Sequence, residues 1–230
     1  HGQNKLVMLA AGGTGGHLFP AQALAEELVG RGYRIHLMTD ERVRDYGKSF
    51  PAEKVHIVPS ATLSLSDPLR LPGRLWRLWS GYRLSRKLIS SHGAVAIAGF
   101  GGYPSLPPLM AASRMGVPSL VHEQNSVLGR ANRLLAPRVS AVATSFDDVR
   151  LVPDEARSKV TLTGNPVRGV VKAVAAAPYP ALTNSGDIRL LVFGGSQGAR
   201  FFADMMPGVL AALPDDVKQR LLLTQQCREE

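Results

Sequence analysis

Short apolar runs alternate with amphipathic stretches along most of this chain. Leu6-Val7-Met8-Leu9-Ala10-Ala11 is continuously apolar and ends in a glycine cluster, Gly12-Gly13-Thr14-Gly15-Gly16-His17. A helical pattern over Ala21–Arg31 follows, with Gly32 at the usual position past a helix end. Further strands are predicted at Arg34–Met38, Lys54–Val58, Ala94–Ala98, Pro118–Val121, Val139–Ala143 and Val160–Leu162. Between them, helices are predicted over Pro68–Ser91, Leu106–Met115 and Val127–Leu135. Strands apolar on both faces, alternating with helices, imply a parallel sheet covered on each side.

The texture changes from Val170 to Asp187, where alanine, proline and turn residues replace the periodicity and suggest a connector. The pattern then restarts: a strand at Ile188–Phe193, a loop Gly194-Gly195-Ser196-Gln197-Gly198, a helix over Ala199–Leu213 and a strand at Gln219–Thr224. Two such starts predict two Rossmann-like domains, a first over residues 1–165, a connector over 166–187, and the opening of a second over 188–230.

Composition adds limits. No apolar run approaches the ~20 residues needed to span a bilayer. The amino terminus has neither an initiator Met nor the apolar segment of a secretory signal, and reads as a trimmed or added end. The single cysteine, Cys227, excludes a disulfide framework and makes a reducing cytoplasm the default. A net charge of +9 calls for an anionic partner.

Glycines between a strand and a helix let backbone amides approach an anion at the helix N-terminus. The first cluster is not the dinucleotide fingerprint: from Gly13 the spacing gives Gly15 and then Leu18 in place of the third glycine. Asp40 is not at a helpful position for a ribose, and the lysine of a Walker loop is absent. Neither a nicotinamide nor a flavin cofactor is expected. No Cys/His/Asp cluster has metal-ligand spacing, so no metal is expected either. A second glycine loop, Gly99-Phe100-Gly101-Gly102-Tyr103, also follows an apolar strand. With the loop at Gly194, three such loops at strand ends point to a ligand crevice.

Five motifs stand in order: the two loops at Gly12–His17 and Gly99–Tyr103, His122-Glu123-Gln124-Asn125, Gly164-Asn165-Pro166-Val167-Arg168, and Gly194-Gly195-Ser196-Gln197-Gly198-Ala199-Arg200. In order and approximate spacing they resemble the MurG family of glycosyltransferases, over essentially the whole chain. The resemblance implies an α/β fold of the GT-B type, with two Rossmann-like domains whose second is incomplete here. It implies an inverting transfer of GlcNAc from UDP-GlcNAc to the MurNAc C4 hydroxyl of undecaprenyl-pyrophosphoryl-MurNAc-pentapeptide (lipid I), giving lipid II. Thr14, Gly15, Gly16, Asn125, Arg168 and Ser196 match positions that contact the donor. Gly13, Gly101, Gly102 and Tyr103 belong to loops thought to hold the acceptor pyrophosphate. The family chain continues well past Glu230, so the chain as given is expected to bind donor poorly and turn over little. Pro104-Ser105-Leu106-Pro107-Pro108, where the family often has a further glycine, stiffens the second loop.

The transfer needs a base, and an ordinary histidine pKa near ~6.5 suits it. His17, at the mouth of the first loop, and Glu123 compete for the part. Either could instead be structural, His17 by bonding the loop backbone and Glu123 by bonding loop amides and holding Asn125.

The predicted helix from Pro68 carries Arg70, Arg74, Arg77, Arg83, Arg86 and Lys87 with no acid. Leu71, Leu75, Leu78, Tyr82 and Ile89 form the expected core stripe, and Trp76, Leu84 and Leu88 fall outside it. Indole rings at Trp76 and Trp79 beside arginines suit an anionic membrane surface, with Leu75 added to that surface. The family resemblance implies peripheral docking on the cytoplasmic face of the bacterial inner membrane. Two other readings stay open: a different GT-B enzyme acting on another lipid or sugar nucleotide, and a non-catalytic module that holds a lipid pyrophosphate. Nucleic acid is not expected as a partner, because no reading motif accompanies the charge.

Overall fold

A computed structural model describes residues 4–43, 50–62, 68–179, 181, 183, 185–195 and 200–227. The chain divides into two compact units, residues 1–173 and 174–230.

The first unit is built on seven parallel strands: β1 (Leu6–Ala10), β2 (Arg34–Thr39), β3 (Lys54–Ile57), β4 (Ala94–Gly99), β5 (Ser119–Glu123), β6 (Ala141–Thr144) and β7 (Val160–Leu162). Their spatial order is β3-β2-β1-β4-β5-β6-β7. The winding direction reverses between β1 and β4, which is where open α/β sheets leave a crevice beyond the strand ends. In register, Ala10 faces Gly99, so both glycine loops leave the sheet side by side.

Alternation along β1 sorts the core into two layers. Leu6, Met8 and Ala10 pack with Ile89 of helix α2 (Leu71–His92) and Leu109 of helix α3 (Leu106–Arg114). Val7, Leu9 and Ala11 pack with Leu18, Ala21 and Ala25 of helix α1 (Gly15–Gly30). A side-chain period of two forces this division, because successive residues of a strand face opposite sides.

Helix α1 starts at Gly15, six residues before the sequence pattern suggested, and carries Pro20 inside it. Glycine and proline are poor helix formers, but packing of Leu18 against the sheet overrides that preference. Helix α4 (Arg130–Leu135) is shorter than its apolar pattern suggested. Val127 pairs instead with Arg150, and the Gly129 amide is taken by the Glu123 carboxylate.

In α2 the expected core stripe holds from Leu78 onward and fails at Leu75, which is 52% exposed. The helix crosses closest at Gly81, where an added Cβ would lie 2.0 Å from the Pro59 carbonyl oxygen. Leu78, Tyr82, Leu88 and Ile89 pack on the core and Ser85 is buried beside them. A short helix, α5 (Gly169–Ala175), occupies part of the stretch read as a connector.

The second unit has two parallel strands, β8 (Ile188–Val192) and β9 (Leu221–Gln225). Among the described residues, helix α6 (Arg200–Ala212), with Met206 buried, and the short α7 (Asp215–Lys218) accompany them.

Candidate functional site

The two glycine loops touch. A Cβ on Gly12 would stand 2.2 Å from Pro104 Cγ, so only glycine lets the first loop close on the proline of the second. Gly13, Gly101 and Gly102 all have positive φ (72°, 90° and 74°), which costs glycine little and other residues more. Gly13 lies against the guanidinium of Arg42, whose Nε donates to Asp40 at 2.9 Å. Thr14 caps α1 in extended conformation without a side-chain bond to the helix. The first amides of α1, at Gly15 and Gly16, therefore stand at an open helix end. These loops, His17, Tyr103, Arg42 and Arg77 line a cleft of about 680 Å³. Arg42 was not singled out from sequence; Asp40, two residues away, holds it locally, but its place against Gly13 comes only with the fold.

His17 sits at the centre. Its ring packs on the second loop, with Cε1 3.1 Å from where a Gly101 Cβ would be. A chain of hydrogen bonds fixes its protons. The Gly164 carbonyl can only accept, so His122 Nε2 donates to it at 3.0 Å. Burial, outweighing the Gly164 carbonyl and the Glu123 charge, holds His122 below its ordinary pKa and hence neutral. His122 Nδ1 then accepts from Gln124 Nε2 at 3.0 Å, and the same amide nitrogen donates to the His122 carbonyl at 3.1 Å. Gln124 Oε1 is thereby turned to His17 Nδ1 at 3.1 Å, which must donate. The remaining nitrogen of His17, Nε2, carries the lone pair.

Glu123 is buried, 2% exposed, and its carboxylate is saturated. Oε1 accepts from the Asn125 amide at 3.1 Å and Asn125 Nδ2 at 2.9 Å. Oε2 accepts from the Gly129 amide at 2.8 Å and Asn132 Nδ2 at 2.9 Å. Four donors compensate the burial of this anion. They also set the course of the chain from Asn125 to Gly129.

Gly15 and Gly16 share a second, smaller cleft of about 220 Å³ with Asn165 and Arg168. Arg168 lies over the Phe19 ring, 3.8 Å from its centre. The structure so brings together three of the residues matched to donor contacts. Asn125 is placed by Glu123, and Ser196 lies outside the described residues.

On α2, Leu75, Trp76 and Trp79 are exposed (52%, 65% and 52%), and Arg83 stacks on Trp79 at 4.9 Å. Trp76, Trp79 and Arg83 lie off the side of the helix that carries Ile89, whereas Leu75 lies on that side and is exposed all the same. No helix of the described residues is long and apolar enough to cross a membrane. Three histidines far apart in sequence, His36, His56 and His92, also meet in space. Sequence spacing concealed them, since each comes from a different element.

A parallel sheet with a reversal point, two touching glycine loops and an oriented histidine defines a Rossmann-like domain with an open crevice at its strand ends. Residues 7–144, more than half the chain, match the Glycosyltransferase family 28 N-terminal domain, and the chain belongs to this family. It is 51% identical to a UDP-N-acetylglucosamine–N-acetylmuramyl-(pentapeptide) pyrophosphoryl-undecaprenol N-acetylglucosamine transferase of Sinorhizobium fredii. That alignment covers 98% of this chain and 60% of the relative. A protein of the same name from Agrobacterium fabrum is 48% identical over 98% of the chain and 59% of its own length. The chain thus spans about 60% of the length of these curated relatives. The crystal structure of Acinetobacter baumannii MurG superposes with a TM-score of 0.69 at 22% identity, covering 96% of this chain and 67% of that one. A kitacinnamycin glycosyltransferase gives 0.65 at 18%, covering 98% and 66%. The fold is α/β of the GT-B class.

Proposed function

We propose that this chain carries the acceptor-binding domain of an inverting glycosyltransferase that moves GlcNAc from UDP-GlcNAc to the MurNAc C4 hydroxyl of lipid I. The observation that carries the reading is His17, held between two glycine loops with Nδ1 engaged and Nε2 left as the base. In the transfer, the C4 oxygen bonds to the anomeric carbon as the bond to the UDP oxygen breaks. The hydroxyl proton passes to His17 Nε2, and UDP leaves with the bonding electrons. Attack from the opposite face inverts the configuration, as in glycoside chemistry that proceeds through an oxocarbenium-like state.

In this reading the acceptor pyrophosphate lies in the larger cleft, against the loops at Gly13 and Gly101-Gly102-Tyr103 and the cations Arg42 and Arg77. Guanidinium groups and loop amides are the usual donors for a diphosphate. Gly15, Gly16 and Arg168 hold the donor's phosphates, with Thr14 and Asn125 beside them, and Ser196 is assigned to the donor on the family resemblance alone. Gln124 and His122 are positioning residues for His17. Glu123 is one for Asn125, since its carboxylate already has four donors. Docking of the Trp76–Trp79 face on an anionic membrane, at the cytoplasmic side of the inner membrane, brings the cleft to a lipid-borne substrate. No nucleic acid is required.

The test is transfer of labelled GlcNAc to a short-chain lipid I analogue, by protein of the relatives' full length carrying this sequence. His17→Ala should lower kcat by about 10²–10⁴ with a smaller change in KM, the range for loss of a general base. Activity retained in His17→Ala would remove the base from this reading. Transfer to a different lipid only would replace the acceptor.

A further inference from the structure

Three of the chain's six histidines converge away from the cleft. His36 comes from β2, His56 from β3 and His92 from the last turn of α2. Ring centres are 5.0 Å apart for His36 and His56, 4.9 Å for His36 and His92, and 5.5 Å for His56 and His92. One nitrogen from each ring falls within 4.8 Å of the other two. His36 is fully buried, whereas His56 and His92 are half-buried and leave one side open.

We propose that His36, His56 and His92 form a binding site for a divalent cation of the zinc class, with water in a fourth position. Tetrahedral ligands at ~2.0–2.1 Å from zinc stand roughly 3.3 Å from one another. His36 Nδ1 and His56 Nε2 are already 3.0 Å apart. His92, at a helix end, has to close in by no more than about 1.5 Å to reach that spacing. An all-imidazole set suits zinc, nickel, copper or cobalt, and is a poor match for magnesium or calcium, which take oxygen ligands.

The surroundings of His36 supply the outer shell of such a site. Its Nε2 is buried without a hydrogen-bond partner and stands 3.8 Å from Glu53 Oε2. Glu53 is itself held by Arg34, whose Nε lies 3.0 Å from both carboxylate oxygens. With Nδ1 on a cation, the proton of His36 must sit on Nε2 and face Glu53. Carboxylate, imidazole and metal in that order is the common way of orienting a metal-bound histidine.

The cluster is separate from the transfer site. His92 precedes β4, whereas the second glycine loop follows it. A cation here would clasp the carboxyl end of α2 to the edge strand β3 and to β2 beside it. Its readout is therefore the stability of that edge rather than chemistry.

The experiment uses the whole chain, stripped with a chelator and given zinc chloride at neutral pH, then desalted. Bound zinc is measured by plasma mass spectrometry and the melting temperature with and without zinc. Wild type should retain about one zinc per chain and melt higher with it. The double variant H56Q/H92Q, changed only at half-buried side chains, should retain at least about tenfold less and show no zinc-dependent shift. His92→Gln alone, at the helix end, should weaken retention in the same direction. His17→Gln and Cys227→Ser should retain zinc as wild type does. Zinc retained equally by H56Q/H92Q, lost instead with His17 or Cys227, or never retained by wild type would each overturn the proposal.

Discussion

Replacing Glu123 by Gln isolates what a buried carboxylate does beside the cleft. The substitution keeps the shape and removes one oxygen of two. Four N–H groups point at the carboxylate, two at each oxygen. A glutamine amide can keep its oxygen toward Asn125 only by turning its NH₂ toward the Gly129 amide and Asn132. Asn132 offers relief, because its own Oδ1 is buried and unpartnered and could rotate to accept. That rotation takes its NH₂ from the His122 carbonyl, now 3.3 Å away. The Gly129 N–H then remains unsatisfied, at about 1–3 kcal/mol, and the bonds to Asn125 lose their charge-assisted part, roughly 0.5–1 kcal/mol each. The expected loss is therefore about 2–5 kcal/mol, or roughly 4–20 °C in melting temperature for a unit of this size. Thermal and urea unfolding followed by circular dichroism measures it. Hydrogen exchange at the Asn125 and Gly129 amides should accelerate in parallel. A Glu123→Gln protein within about 0.5 kcal/mol of wild type would refute the assignment of Glu123 as a structural anion.

Two further outcomes follow from other parts of the domain. Replacing Trp76 and Trp79 together by Ala should weaken binding to phosphatidylglycerol vesicles by about ten- to a hundredfold, and Arg83→Ala by about fivefold; co-sedimentation in low and high salt measures both, and unchanged binding would remove the membrane face. His122 makes stability fall on acidification: above about pH 6.5 both folded and unfolded chains hold it neutral, and below that only the unfolded chain takes up the proton that burial denies the folded one. His122→Gln should therefore flatten the decline of the urea midpoint from about pH 6.5 downward, and an unaltered slope would contradict it.

The sheet was legible because its strands are apolar on both faces and separated by glycine loops, a pattern that survives without tertiary context. What escaped was set by contacts through space. Nothing local makes Gly15–Gly16 helical; Leu18 on the sheet does. The wheel put Leu75 in the core, but the crossing at Gly81 commits only the later turns to it. Chemistry followed the same division. His17 and the glycine loops could be picked out as types at strand ends. Arg42 meets Gly13 only in the folded chain, and the histidine triplet depends on three elements whose sequence separation hides their meeting.

The motif His122-Glu123-Gln124-Asn125 shows why neighbouring residues can have opposite duties. It lies at the end of β5, where side chains alternate between sheet faces. His122 and Gln124 turn to the α1 side, His122 near Phe100, and reach His17. Glu123 turns to the other side and meets Asn132 of α4. Substitutions one residue apart should therefore separate. Gln124→Leu removes the acceptor that keeps the proton on His17 Nδ1, so it should lower kcat by about tenfold or more and alter its pH profile. The same change leaves the buried His122 Nδ1 without its donor, so melting should fall, but by less than in Glu123→Gln, about 2–6 °C. Glu123→Gln should do the reverse, melting the domain early while leaving the pH profile of the surviving activity in place. If Gln124→Leu unfolds the domain as readily as Glu123→Gln, or leaves the pH profile untouched, the two faces of β5 do not divide structure from chemistry.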